Sequence, residues 1–249
     1  MTVTNTASRR VPTIRSAIVV AGLMLSAVAG PALAQAAGQQ RPGSALAKPT
    51  TPAEIEAARP NPQHPGFRIP FGPLEKMEPA QRQDFIRQSE SFNTPVGPRA
   101  PLILSPEVNT AWGNFAAALQ KSELPQDLFE LTIMMTAAEW RANFEWWVHE
   151  SQAVKSGLPA AAVEAIRTGR RPRFSNPRQE AGYQYLAELL GERHRVSDQT
   201  YERLRAIIGT RQIVEMTAVA GHYTNVAMGI VAHGIPVRSN VTPPFPERR

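Results

Sequence analysis

Glu145 and His149 stand four residues apart in "RANFEWWVHESQAVKSG" (141–157), among Phe144, Trp146 and Trp147. On a helix that spacing puts both side chains on one face, one turn apart. The other residues of the His149 face, Ala142, Trp146 and Ala153, are apolar, so the imidazole is expected to point into a core or cavity. Histidine is the side chain suited to proton transfer at physiological pH, and an adjacent carboxylate can orient its tautomer and support the imidazolium. The plainer alternative is a surface ion pair contributing about 0.3–0.5 kcal/mol to the helix. A third candidate is Glu130, in the apolar run "LFELTIMMTA". A carboxylate in such a window is rarely left without a partner or a purpose. It either forms a salt bridge with Arg141 or Arg211, or is a carboxyl of raised pKa facing His149 across two packed helices. A carboxyl–imidazole–carboxyl cluster is the minimum equipment for moving a proton to and from a carbon or oxygen acid.

"AGHYTN" (220–225) places His222, Tyr223 and Asn225 inside an otherwise apolar stretch. They are either satisfied core polar groups or the lining of a cavity that holds a substrate carboxylate or carbonyl. Trp140, Trp146 and Trp147 read most simply as core or subunit-interface residues. Two carboxylates and an imidazole can bind Fe, Mn or Zn. However, His64 and His194 do not sit at ligand spacing, and His222 and His233, eleven residues apart, share at most a face. No metal is expected. The chain contains no cysteine, which excludes a thiol nucleophile, a Cys-ligated metal and a redox dithiol.

The elements that must position these residues are helical from Ser105 onward. "SPEVNTAWGNFAAAL" has Ser105 as N-cap and Pro106 at the first helical position, with Val108, Trp112, Phe115, Ala116 and Leu119 on one apolar face. "LPQDLFELTIMMTAAEW" starts at Pro125 and is apolar nearly all round, the mark of a buried helix. The next helix runs from about Asn143 to Ser156 and stops at Gly157. "LPAAAVEAIRTG", "NPRQEAGYQYLAELLG", "SDQTYERLRAIIG" (capped by Ser197 or Asp198) and a long apolar helix over 211–234 follow. Alternating β-branched runs are missing, so the fold class is all-α, with about six to eight helices. "LFELTIMMTAAEW" and "IVEMTAVAGHYTN" echo one another, Glu130 matching Glu215.

Four segments follow. Residues 1–34 read as a signal peptide. Arg9, Arg10 and Arg15 precede the apolar "AIVVAGLMLSAVAG", and the segment ends in Ala32-x-Ala34. The run is short for a membrane span of about 20 residues. The cleaved chain is therefore expected in the periplasm without a stable membrane anchor, exported by the general or the twin-arginine route. Residues 35–97 are a proline-rich, extended lead-in in which only 79–92 offers a short helix, and Phe67, Ile69 and Phe71 hint at docking. Residues 98–236 form the helical domain and 237–249 a tail. Removing 1–34 takes away three arginines and no acid, so the net charge falls from +6 to +3. That balance gives no argument for nucleic acid.

The run "LPQDLFELTIMMTAAEWRANFEWWVHESQAVKSGLPAAAVEAIRTGRRP" resembles the carboxymuconolactone decarboxylase family, which includes the alkyl hydroperoxidase D proteins. The shared pattern is carried by Leu124-Pro125, Glu130-Leu131, Phe144-Glu145-Trp146, His149, Ala153 and Gly157-Leu158. "PRAPLILSPEV" and "IVEMTAVAGHYTNVA" extend the resemblance over residues 98–236. It implies an alkyl hydroperoxidase D-like helical domain assembling into homo-oligomers, trimers or hexamers. Hydroperoxidase members use a Glu, a Cys-x-x-Cys and a His. Glu130 and His149 match the first and last, while Ala142 and Glu145 occupy the cysteine positions. Peroxide reduction by thiolate is thereby removed. The decarboxylase members, which serve aromatic catabolism in the cytoplasm, lack the dithiol too. On their model the chain acts on a small carboxylated lactone without a cofactor. His149 would be the proton donor, Glu145 its orienting partner and Glu130 a second acid/base. Arg141, Trp146, His222, Tyr223 and Asn225 would bind the substrate.

Overall fold

Proline and glycine punctuation decides where the helices begin and end. The computed structural model describes residues 68–69, 71, 74–89, 97–237 and 241–246; the proposed signal peptide, His64, Phe67 and most of the lead-in lie outside them. Among the described residues there are seven α-helices and no strand. They are α1 (Pro79–Ser89), α2 (Pro106–Gln120), α3 (Gln126–Trp140), α4 (Asn143–Lys155), α5 (Ala160–Arg167), α6 (Pro177–Leu190) and α7 (Asp198–His233). Pro106 and Pro177 open their helices at the first turn, where a missing N–H costs nothing. Ser197 caps α7 by accepting from the Thr200 N–H at 3.3 Å. Ser105 occupies the N-cap of α2 without a side-chain cap bond. Inside α7, Gly209 takes φ 78° and ψ 165°, so two helical runs meet there. Only glycine adopts that backbone without strain.

The centre of the molecule is α3, which packs against α4, α6 and α7. Leu128, Phe129, Leu131, Ile133 and Met134 are all but inaccessible to water; each such side chain contributes about 1.5–3 kcal/mol relative to exposure. Gly182 lets α6 press onto this helix, since a Cβ there would lie 2.6 Å from Leu128 Cδ2. A second apolar cluster joins Ala142 and Phe144 to Val226, Ala227, Ile230 and Ile235, bringing the start of α4 onto the end of α7.

The expected apolar face of α2 is only partly buried. Leu119 is covered, but Val108 and Phe115 remain 52% and 47% exposed. A polar network turns the helix instead. Asn109, fully buried, donates to Asp84 Oδ2 at 2.6 Å and accepts from Arg99 Nη2 at 2.8 Å. A buried amide so completely bonded is costly to expose, and periodicity does not register it. The end of the lead-in does dock. The Arg68 N–H donates to the His233 carbonyl at 3.1 Å, Ile69 is buried, and Phe71 meets Phe85 edge-on at 5.3 Å. No helix among the described residues is long and apolar enough to cross a membrane.

Candidate active site

α3 and α4 form a hairpin whose turn is two residues long. Arg141 supplies the left-handed conformation that ends α3 (φ 52°), and the Ala142 N–H reaches back to the Ala137 carbonyl at 2.8 Å. Residues on the facing sides of the two helices then meet. Thr136 meets Glu145 close to the turn, and Glu130 meets His149 further out.

At the outer position Glu130 Oε2 lies 3.0 Å from His149 Nδ1. Glu130 Oε1 accepts from Gln126 Nε2, one turn earlier on the same helix, at 2.9 Å. Both carboxylate oxygens are thus oriented, and the Glu130 side chain is 4% exposed against 12% for His149. With Nδ1 engaged by Glu130, Nε2 is the ring nitrogen that remains. The Tyr223 ring stands edge-on to the imidazole at 5.5 Å.

Near the turn the environment differs. Glu145 is 2% exposed, and burial pushes its carboxyl well above the usual carboxylate range. A Thr136 hydroxyl donating to it pulls the other way, and burial wins. Thr136 Oγ1 sits 2.8 Å from the Ile133 carbonyl and 3.2 Å from Glu145 Oε1. The hydroxyl has one proton to divide between these two acceptors, so its donation to Glu145 is weak. Among the described residues Glu145 Oε2 has no partner, which a neutral acid tolerates far better than a carboxylate.

The expected roles of three residues are therefore redistributed. Glu145 turns to Thr136 on α3, not to His149, whose orienting partner is Glu130. Arg141 points away from the pair. Its guanidinium donates to the Pro246 carbonyl at 2.8 Å and lies 5.4 Å above the Phe245 ring, because the left-handed turn directs it to the C-terminal segment. Trp146 is fully buried and packs on Phe245, so it is a core residue.

Of the "AGHYTN" residues, Tyr223 stands against His149 and His222 against Tyr223. His222 is buried between Trp112 (4.7 Å), Tyr223 (5.3 Å) and Phe115 (5.5 Å). Burial lowers its pKa to about 4, so it is a neutral hydrogen-bonding group at neutral pH. Asn225 is exposed and accepts from Trp112 Nε1 at 3.2 Å. Trp112 and Asn225 border a groove of about 250 Å³, lined also by Leu102, Met228 and His233. None of Glu130, Glu145 and His149 lines this groove; the rings of Tyr223, His222 and Trp112 form a chain from His149 to its edge. Sequence reasoning missed Gln126, Thr136 and Trp112 as site partners. Of these only Gln126, at i−4 from Glu130, carries a local signal. Among the described residues no cluster of three His, Asp or Glu side chains is arranged to hold a metal ion.

No protein-family model matches the sequence, and no curated protein does. Among solved structures, the chain is similar to an alkylhydroperoxidase AhpD core from Ralstonia eutropha JMP134, described as an uncharacterized peroxidase-related protein. The two share 16% identity at a TM-score of 0.56, over 71% of this chain and 94% of that one. A likeness at that identity speaks to architecture alone. The chain is an all-α protein with the alkylhydroperoxidase D-like fold.

Proposed function

We propose that the protein is a cofactor-independent lyase of the carboxymuconolactone decarboxylase type, acting on a small carboxylated lactone or a related organic acid. The carrying observation is the buried Glu130–His149 pair, 3.0 Å between Oε2 and Nδ1, with Gln126 fixing the carboxylate from behind. In the proposed reaction the bond to the departing carboxylate breaks and its electron pair delocalises into the conjugated lactone carbonyl. His149 Nε2 then delivers a proton to carbon as CO2 leaves. Glu130 supports the imidazolium before transfer, and the imidazole regains its proton from water. Tyr223 stands edge-on to His149 and neutral His222 edge-on to Tyr223, and Asn225 offers an amide at the edge of the groove for a carboxylate or carbonyl. Glu145 stands outside this machinery, as a neutral acid behind it.

The peroxidase-related description of the structural neighbour does not carry over as thiol chemistry, because this chain has no cysteine. A second reading, an oligomeric protein that binds a small apolar ligand without turning it over, is favoured by the ring-lined groove, which His149 does not line. Self-association is part of either reading. Val108, Phe115, Val214, Met228 and Val231 leave apolar area exposed on α2 and α7, as a homo-oligomer would use. Export to the periplasm, with cleavage after Ala34, likewise belongs to the proposal and rests on residues 1–34.

The test is CO2 release from 4-carboxymuconolactone by residues 35–249, with His149→Ala run alongside. Release that the variant loses supports the lyase. A folded wild type that binds the lactone in its groove but releases nothing favours the binding protein.

A further inference from the structure

The C-terminal segment is held in a manner that the fold alone does not require. The triplet Pro244-Phe245-Pro246 carries three carbonyls and a single N–H, since proline has none. Each of these four groups has a side-chain partner. Arg167 Nη1 donates to the Pro244 carbonyl at 2.9 Å, Asn143 Nδ2 to the Phe245 carbonyl at 3.2 Å, and Arg141 Nη2 to the Pro246 carbonyl at 2.8 Å. The Phe245 N–H in turn donates to Asn143 Oδ1 at 2.7 Å. The Phe245 side chain, 3% exposed, stands edge-on to Trp146 at 5.2 Å, under the Arg141 guanidinium.

We propose that Arg141, Asn143, Trp146 and Arg167 form a recognition socket for a Pro-Phe-Pro peptide, which the chain's own tail occupies in cis. The donors come from three elements, the end of α3, the first residue of α4 and the last of α5. They read backbone carbonyls in register while one apolar pocket reads an aromatic ring. Flanking prolines hold such a peptide extended and leave its carbonyls free for outside donors, so little ordering entropy is lost on docking. Asn143 acts as a stand-in for a strand neighbour, giving one bond and taking one. Every bond is made by a side chain to the peptide backbone, so the socket needs no covalent continuity with its occupant. It accepts a peptide of the same chemistry in trans, the tail of a second copy included. This surface lies at the hairpin turn and does not depend on the proposed lyase reaction.

The test uses the full chain carrying Phe245→Ala, which empties the aromatic pocket, titrated calorimetrically with a synthetic peptide of residues 241–247 (VTPPFPE). Saturable binding at a single site is expected. Binding should be weaker by about tenfold or more when the peptide's Phe is replaced by Ala, and again when Asn143→Ala is added to the protein. Absence of binding by a folded variant, or equal binding of the two peptides, overturns the proposal. Should Phe245→Ala lose its helical circular dichroism, carboxypeptidase trimming of the wild type and Asn143→Ala, followed by mass, decides. Trimming that halts near residue 246 in the wild type and runs past 245 in the variant supports the socket, and equal trimming overturns it.

Discussion

The two ends of the α3–α4 hairpin bury the same kind of group and surround it differently. At the outer end Glu130 meets an imidazole and an amide, and both its oxygens are bonded. Near the turn Glu145 meets one threonine hydroxyl, keeps an oxygen without a partner and is pushed towards the neutral form by burial. Burial hardly differs between them, so it is the neighbour that sets the two carboxyls apart. A carboxylate against imidazole has somewhere to pass charge; a carboxylic acid against a hydroxyl does not.

The largest expected effect falls on the outer end. His149→Ala should lower CO2 release by about 10²–10⁴-fold, the contribution of a positioned general acid, and should lower the thermal midpoint as well, because Glu130 loses its buried partner. A rate within a few-fold of wild type would make the pair a structural ion bridge. Next comes His222, whose folded pKa is depressed to about 4 by burial. The folded state binds its proton less readily than the unfolded chain. Its contribution to stability is therefore present above about pH 6.5 and is lost as pH falls through about 4, at about 1.4 kcal/mol per pH unit across that window. Urea unfolding of His222→Phe should lose this part of the acid sensitivity, and an unchanged pH profile would contradict the assignment.

Glu145 has the reverse sign. Its folded pKa is raised, so its contribution is fully present below the unfolded value of 4.5 and falls as pH rises towards the folded pKa. Glu145→Gln should raise the thermal midpoint at pH 8 and leave it unchanged at pH 4; stabilisation at both would point to packing instead. The smallest effect is expected from Gln126→Ala, which removes one bond to the Glu130 carboxylate. The loss is to be read as a change of tenfold or less in turnover, about 1.4 kcal/mol or less, with lactone affinity held.

The helix ends were legible because their signals are local. Pro106, Ser197, Gly157, Gly169 and Gly234 stand at or beside the boundaries they predict. Glu130 was legible as a residue needing a partner, and His149 as one of its three candidates, since a charge in an apolar helix demands compensation. Which of two carboxylates the imidazole would take was not legible from spacing. Glu145 shares a helix face with His149, yet the hairpin register gives it to Thr136. The fate of Arg141 was further out of reach, because its partner, Pro246, lies 105 residues away in sequence. The partly exposed face of α2 had a similar cause. Its orientation follows from Asp84, Asn109 and Arg99, three polar residues that hydrophobic periodicity does not count.

The most direct measurement sets the two ends of the hairpin against each other, with CO2 release from 4-carboxymuconolactone assayed for Glu130→Gln and Glu145→Gln under identical conditions. Turnover should be lost in Glu130→Gln and kept within a few-fold of wild type in Glu145→Gln. Equal losses, or loss in Glu145→Gln alone, would contradict the assignment of proton transfer to the Glu130–His149 pair.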